Sequence, residues 1–169
     1  MAVALRMAYC IVELQGYSTK EYSLLPKEVY LCSENESHKY FIKPPKDMEL
    51  FSPADKKIIE WNSFKYHHLP WPCGTITLGD FLIDIKERVE KYKFIICKGA
   101  EKATYLTKIL NRPVTDITFY GCASIRKKVA TDPCGLHFSK NTHCARASAL
   151  QIKQFIHGQP AVKKLFSAN

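Results

Sequence analysis

Apolar residues fill nearly every position from Ala8 to Leu14, in the run AYCIVEL. An apolar run without polar alternation predicts a strand covered on both faces. Two shorter strand patterns follow, EVYLCS (28–33) and KYFIKP (39–44), separated by the polar turn ENES. Three strands with short connections predict an antiparallel meander. After a loop-like piece between Ile42 and Pro53 the period changes. Ser52 and Pro53 supply an N-cap and a first-position proline for a helix through ADKKIIEWNSFK. Thr77 caps a second helix, in which Leu78, Phe81, Leu82, Ile85 and Val89 fall on one face and the charges on the other. KFIICK reads as a buried strand, and AEKATYLTKILN as a helix ended by Asn111-Arg112-Pro113. PVTDIT is a short strand and ASIRKKVA a short helix. In CARASALQIKQFIH, Ala145, Ala149, Ile152 and Ile156 share a face, and Gly158 and Pro160 stop the helix.

The order β-β-β-α-α-β-α-β-α-α predicts an α/β protein. Three antiparallel strands followed by βαβ alternation give a mixed sheet with helices on both faces, the ribonuclease H-like layout. With 169 residues the chain suits one domain, over 8–158, with terminal extensions at 1–7 and 159–169.

Charge changes the picture first. Lys and Arg number 25 against 16 Asp and Glu, a net +9, which favours polyanions: nucleic acid first, an acidic membrane second. No apolar stretch approaches the length of a membrane span. The seven cysteines are odd in number and scattered singly, several within strand patterns, so a reducing intracellular compartment is expected. MAVALRM is too short for the apolar core of a signal peptide.

The candidate chemistry lies in DPCGLHFSKNTHCARASAL. Cys134, His137 and Cys144 form a Cys-x2-His-x6-Cys pattern that opens a helix. Three such ligands need one more to close a tetrahedral zinc site. Glu13, a carboxylate inside the apolar run of the first strand, is the fourth candidate. The alternative for Glu13 is an ion pair with a buried lysine, and His143 competes for a ligand position. A site of four protein ligands is closed and therefore structural.

Several runs resemble the DnaQ-type 3′–5′ exonucleases. YCIVELQGY resembles that family's first strand, KYHHLPW the segment before its helix pair, CKGAEKATYL the turn bearing its second Asp, and HCARASAL its closing helix. The family's acid cluster is missing: Glu13 and Gln15 stand at the first Asp-x-Glu, Lys102 at the second Asp and Ser148 at the third. Two divalent ions need clustered carboxylates, so ordinary two-metal cleavage is not expected. The chain is also similar to the Maelstrom domain of the piRNA pathway, a DnaQ-like fold that lacks the acids and holds zinc through Glu, Cys, His and Cys. It further resembles uncharacterised arthropod and cnidarian proteins, often tied to mobile elements, that share a KGAEK turn. This likeness spans roughly Tyr9 to His157. It implies RNA silencing or mobile-element biology, and ribonuclease activity that does not use the lost acids.

Basic residues cluster at the corresponding turns: Lys98 and Lys102, Arg126-Lys127-Lys128, and Lys140 with Arg146. Lysines in place of acids turn a metal-and-phosphate site into a plain phosphate site, without sequence readout. In WNSFKYHHLPWP, Trp61 and Phe64 read as core, whereas Tyr66, His67 and Trp71 read as exposed. Tyr66 and Trp71 are the candidates for stacking on single-stranded RNA. His67 and His68 are a candidate acid–base pair for metal-free RNA cleavage. Three functions follow as expectations: a zinc-stabilised domain that binds single-stranded RNA, a pseudo-nuclease that binds protein partners, and a nuclease with a single metal at Glu13.

Overall fold

The apolar run at 8–14 is the middle of a longer strand, β1 (Met7–Tyr17), in a mixed α/β structure. The computed structural model describes residues 7–123, 134–139 and 141–167. Among these, β2 (Leu25–Cys32), β3 (Ser37–Phe41), β4 (Tyr92–Cys97) and β5 (Thr115–Asp116) complete a five-stranded sheet in the order β3-β2-β1-β4-β5. The order across the sheet therefore differs from the order along the chain. The meander runs outward from β1 on one side, with β1·β2 and β2·β3 antiparallel. The later strands add on the other side, parallel to β1. β5 is only two residues long, shorter than the PVTDIT pattern predicts.

Side-chain alternation splits β1 between two cores. Cys10, Val12 and Leu14 pack with Phe81, Ile85 and Val89 of α2 (Leu78–Val89) and Leu106 and Leu110 of α3 (Ala100–Leu110). Tyr9 and Ile11 pack on the opposite face with Ala145, Ala149, Ile152 and Ile156 of α4 (Ala145–Gly158). Both faces are covered, which is why the strand shows no polar alternation.

The caps at Ser52 and Thr77 form as the sequence predicts, each accepting a hydrogen bond from the backbone three residues on. The first helix stops sooner than predicted. α1 covers Pro53–Trp61, and residues 62–66 continue as a wider π-helical turn. Trp61 lies off the face of α1 that buries Asp55 and Ile59, and Phe64 on the wider turn also points to solvent; they are 57% and 63% exposed, so they are not core residues. The chain also continues past Gly158 and Pro160. Pro160 opens a further helix, α5 (Pro160–Leu165), as a first-turn proline. Phe166 beyond it is buried against Tyr9 and Phe94, so the segment taken as a terminal extension packs on the same core. The helix expected over ASIRKKVA falls almost wholly outside the described residues.

One irregularity positions the site. Between Gln15↔Glu28 and Gly16↔Pro26 the register shifts, leaving Lys27 as the extra residue of a β-bulge. Gly16 is required there, because a Cβ would lie 2.2 Å from the carbonyl oxygen of Leu25. Lys27 turns inward and is 1% exposed. Its ammonium donates to the carbonyls of Ile42 (3.0 Å), Trp71 (2.7 Å) and Cys73. Burial pushes its pKa down to about 8.

Candidate metal centre

Cys134, His137 and Cys144 converge as their spacing predicts, but their carboxylate partner is Glu28 and not Glu13. The four side chains offer one ligand atom each, and these atoms lie within 4.8 Å of one another. Glu28 is wholly buried on β2. Its Oε1 is 2.7 Å from Cys134 Sγ and 3.5 Å from Cys144 Sγ, and its Oε2 is 3.2 Å from His137 Nε2. Oε2 also accepts the backbone N–H of Ala145 at 3.0 Å, the first residue of α4. The carboxylate therefore sits at the positive end of that helix.

His137 is oriented as metal-ligating histidines are. Its Nδ1 donates to the carbonyl of His67, which turns Nε2 toward Glu28. Nε2 is buried, 3.2 Å from Glu28 Oε2. It faces a carboxylate oxygen, and two lone pairs set against each other need a proton or a cation between them. The acid–base balance says the same. Burial works to raise the Glu28 carboxyl, yet His137, the Ala145 N–H and the Cys134 thiol hold it below its usual value. The Cys134 thiol bond lowers Cys144 to about 5, against burial. Burial works to lower His137, but Cys144 and Glu28 carry it up to about 10. The bond between the two thiols raises Cys134, so the group holds two anions, Glu28 and the Cys144 thiolate, and draws positive charge to itself.

A tetrahedral site with arms of ~2.0–2.3 Å has ligands ~3.3–3.8 Å apart. The distances here bracket that range, so this buried Glu/Cys/His/Cys group can hold a metal ion.

Glu13 has a different task. Its carboxylate is fully buried and accepts Lys98 N–H at 2.6 Å, Lys102 Nζ at 2.6 Å and Ser148 Oγ at 2.9 Å. Burial works to lower Lys102, and its pairing with Glu13 outweighs this and raises it. The ion-pair alternative for Glu13 is the one realised. Glu13 and Glu28 share one face of the sheet, Glu28 standing opposite Gln15 and Glu13 opposite Tyr30. The ligand carboxylate thus lies on the predicted face of the sheet but on β2, one strand over from β1. The signal for Glu28 was its place two residues before Tyr30 and four before Cys32, on the face that packs against α4.

The other predicted residues scatter. His67 is wholly buried and held down to about 3, chiefly by burial, so it is a neutral core histidine and cannot reach a phosphate beside His68. Its Nδ1 accepts the N–H of Leu69. Trp71 is also buried, its ring edge-on to Tyr17 and Phe51, and is no exposed stacking platform. Tyr66 is half-buried and stacks on His143 at 3.9 Å, and His143 is outside the ligand group. Lys98 donates to the carbonyl of Ala123, and Arg146 is half-buried on the first turn of α4. Arg126, Lys127, Lys128 and Lys140 lie outside the described residues.

No protein-family model matches the chain, and neither curated proteins nor solved structures give a match. Among the described residues no helix is long and apolar enough to cross a membrane.

Proposed function

We propose that this is an RNase H-like domain fastened by one structural zinc ion, which works by binding and not by two-metal hydrolysis. The observation that carries the reading is the convergence of Glu28, Cys134, His137 and Cys144 within 4.8 Å, with His137 Nε2 3.2 Å from the Glu28 carboxylate. Two thiols and an imidazole select zinc over magnesium or calcium, and four protein ligands leave no open position for a substrate. Zinc bound there would tie β2 to α4. Loss of hydrolysis follows from Glu13, whose carboxylate is consumed by Lys98, Lys102 and Ser148. The single-metal nuclease at Glu13 loses its support for the same reason. The resemblance to the Maelstrom domain agrees in ligand type, with Glu28 taking the place first given to Glu13.

Single-stranded RNA is the ligand class we assign, supported by the net charge of +9 and by exposed Trp61 beside the Tyr66–His143 stack. Intracellular action belongs with this reading. Elemental analysis of native protein, with RNA retention and cleavage assays with and without chelator, tests it. The expected result is one zinc per chain, and RNA retention that weakens steeply with salt. Metal-free native protein sinks the zinc, and magnesium-activated cleavage abolished by Glu13→Gln sinks the non-hydrolytic reading.

A further inference from the structure

Phe138, the residue after His137, lines an apolar groove of about 680 Å³. Trp71, Phe64, Phe138 and Met48 supply its apolar walls. The floor is rigid. The Trp71 ring is wedged edge-on against Tyr17 (5.2 Å) and Phe51 (5.4 Å), and its carbonyl is held by the buried ammonium of Lys27. The outer wall is not buried. Phe64 and Phe138 touch at 5.9 Å between ring centroids, yet are 63% and 54% exposed. Two large aromatic rings held together in water on the lip of a groove are the kind of exposed apolar surface that marks a binding site.

The groove's polar groups choose the occupant. Asp47 and Glu60 line it, and both are exposed. Among the described residues no lysine or arginine lines it, and nearby Lys46 and Lys56 are paired with Glu21 and Glu49. A chain of net charge +9 thus presents a locally acidic apolar groove. Such a groove repels a phosphate backbone and favours a cation carried beside an apolar group.

We propose that this groove docks a segment of a protein partner in which an apolar side chain lies next to lysine or arginine. Neither Trp61 nor the Tyr66–His143 stack lines the groove. Its outer wall also depends on the metal, a part of the proposal that rests on the zinc reading. Phe138 directly follows His137 and is positioned by its N–H bond to the carbonyl of His68 (2.9 Å) and by the edge-on His68 ring at 5.3 Å. Anchoring His137 therefore sets the wall.

The test pans a random-peptide display library against the immobilised full-length chain, with zinc measured in the same preparation. Selected peptides are then titrated by fluorescence anisotropy. The expected selection is peptides with an apolar residue beside Lys or Arg. Glu60→Lys and Phe64→Ser, both surface changes whose folding is checked by thermal melting, should each weaken binding at least tenfold. Acidic selected peptides, no selection, or binding indifferent to both variants would overturn the proposal. So would self-association in sedimentation that Phe64→Ser abolishes, because the groove would then belong to a second copy. The two readings fail separately. A zinc-free native chain that still selects basic apolar peptides removes the metal dependence and leaves the groove. A zinc-bound chain that selects none removes the groove and leaves the metal.

Discussion

At the scale of single residues, two carboxylates on one sheet face divide two tasks, and exchanging amide for acid separates them. Glu28→Gln keeps the shape but removes a charged ligand, so metal content should fall well below one per chain by elemental analysis. Glu13→Gln should leave metal content unchanged and strand the Lys102 ammonium. Breaking a wholly buried pair costs about 3–5 kcal/mol, and the partial exposure of Lys102 brings this to roughly 2–3 kcal/mol in a denaturant melt. The reverse pattern, metal lost with Glu13→Gln alone, would return the fourth ligand to β1. A third carboxylate reports on acid stability. Glu36 is bonded to Lys91 and Tyr92, which hold it down to about 2. A carboxyl whose folded value is depressed contributes stability above its unfolded value near 4.5, and loses it as pH falls toward 2. The stability difference between wild type and Glu36→Gln should therefore be full at pH 6, shrink below pH 4.5 and vanish near pH 2.

At the scale of elements, Gly16 is the position where sheet geometry and ligand geometry meet. The bulge opposite it inserts Lys27 and sets the register from which Glu28 faces the Cys134–Cys144 segment. A methyl group at residue 16 would meet the Leu25 carbonyl at 2.2 Å, so the strands must separate there. Gly16→Ala should cost about 1–3 kcal/mol, as overpacking does. It should also weaken metal binding in a competition titration, because Glu28 is displaced with the strand. An equal loss of stability with unchanged metal affinity would show that the bulge does not aim the ligand. The same feature marks the limit of what the sequence discloses. Unbroken apolar character in 8–14, the Ser52 and Thr77 caps and the Cys-x2-His-x6-Cys spacing all act locally or through one helix face, and all were legible. Which of two acids on a face meets that segment depends on cross-strand register, and a bulge shifts register without an obvious sequence signal. Lys102 capturing Glu13 joins residues 89 apart and is equally hidden. Phe64 is exposed because a π-helical turn rotates the pattern after Trp61, whereas periodicity assumes a constant pitch; Trp61 lies off the face of α1 that buries Asp55 and Ile59.

At the scale of the whole molecule, the ion would join parts of the chain separated by 106 to 116 positions. Much of the core does not need it. Cys10, Val12 and Leu14 pack on α2 and α3 away from the ligands, while α4 meets the sheet through Ala145, Ala149, Ile152 and Ile156. Removing zinc should therefore loosen the molecule unevenly. Glu28 would keep its bond to Ala145, and a proton on His137 would take the place of the ion between Glu28 and the Cys144 thiolate. A ligand present at a thousandfold its dissociation constant stabilises the folded state by about 4 kcal/mol. At roughly 2–4 °C per kcal/mol for a chain of this size, chelation should lower the melting temperature by about 8–16 °C. Hydrogen exchange should localise the loss. Amides of α4 and the 134–139 segment should exchange faster after chelation, while those of β1 and β4 keep their protection. Uniform loss would mean that the metal holds the entire fold, and no change on complete zinc removal would mean that Glu28, His137 and the two thiols hold one another without it. Retention of single-stranded RNA by the chelated protein would then show whether α4 and the Tyr66–His143 stack must be locked in place for binding, since His143 immediately precedes the ligand Cys144.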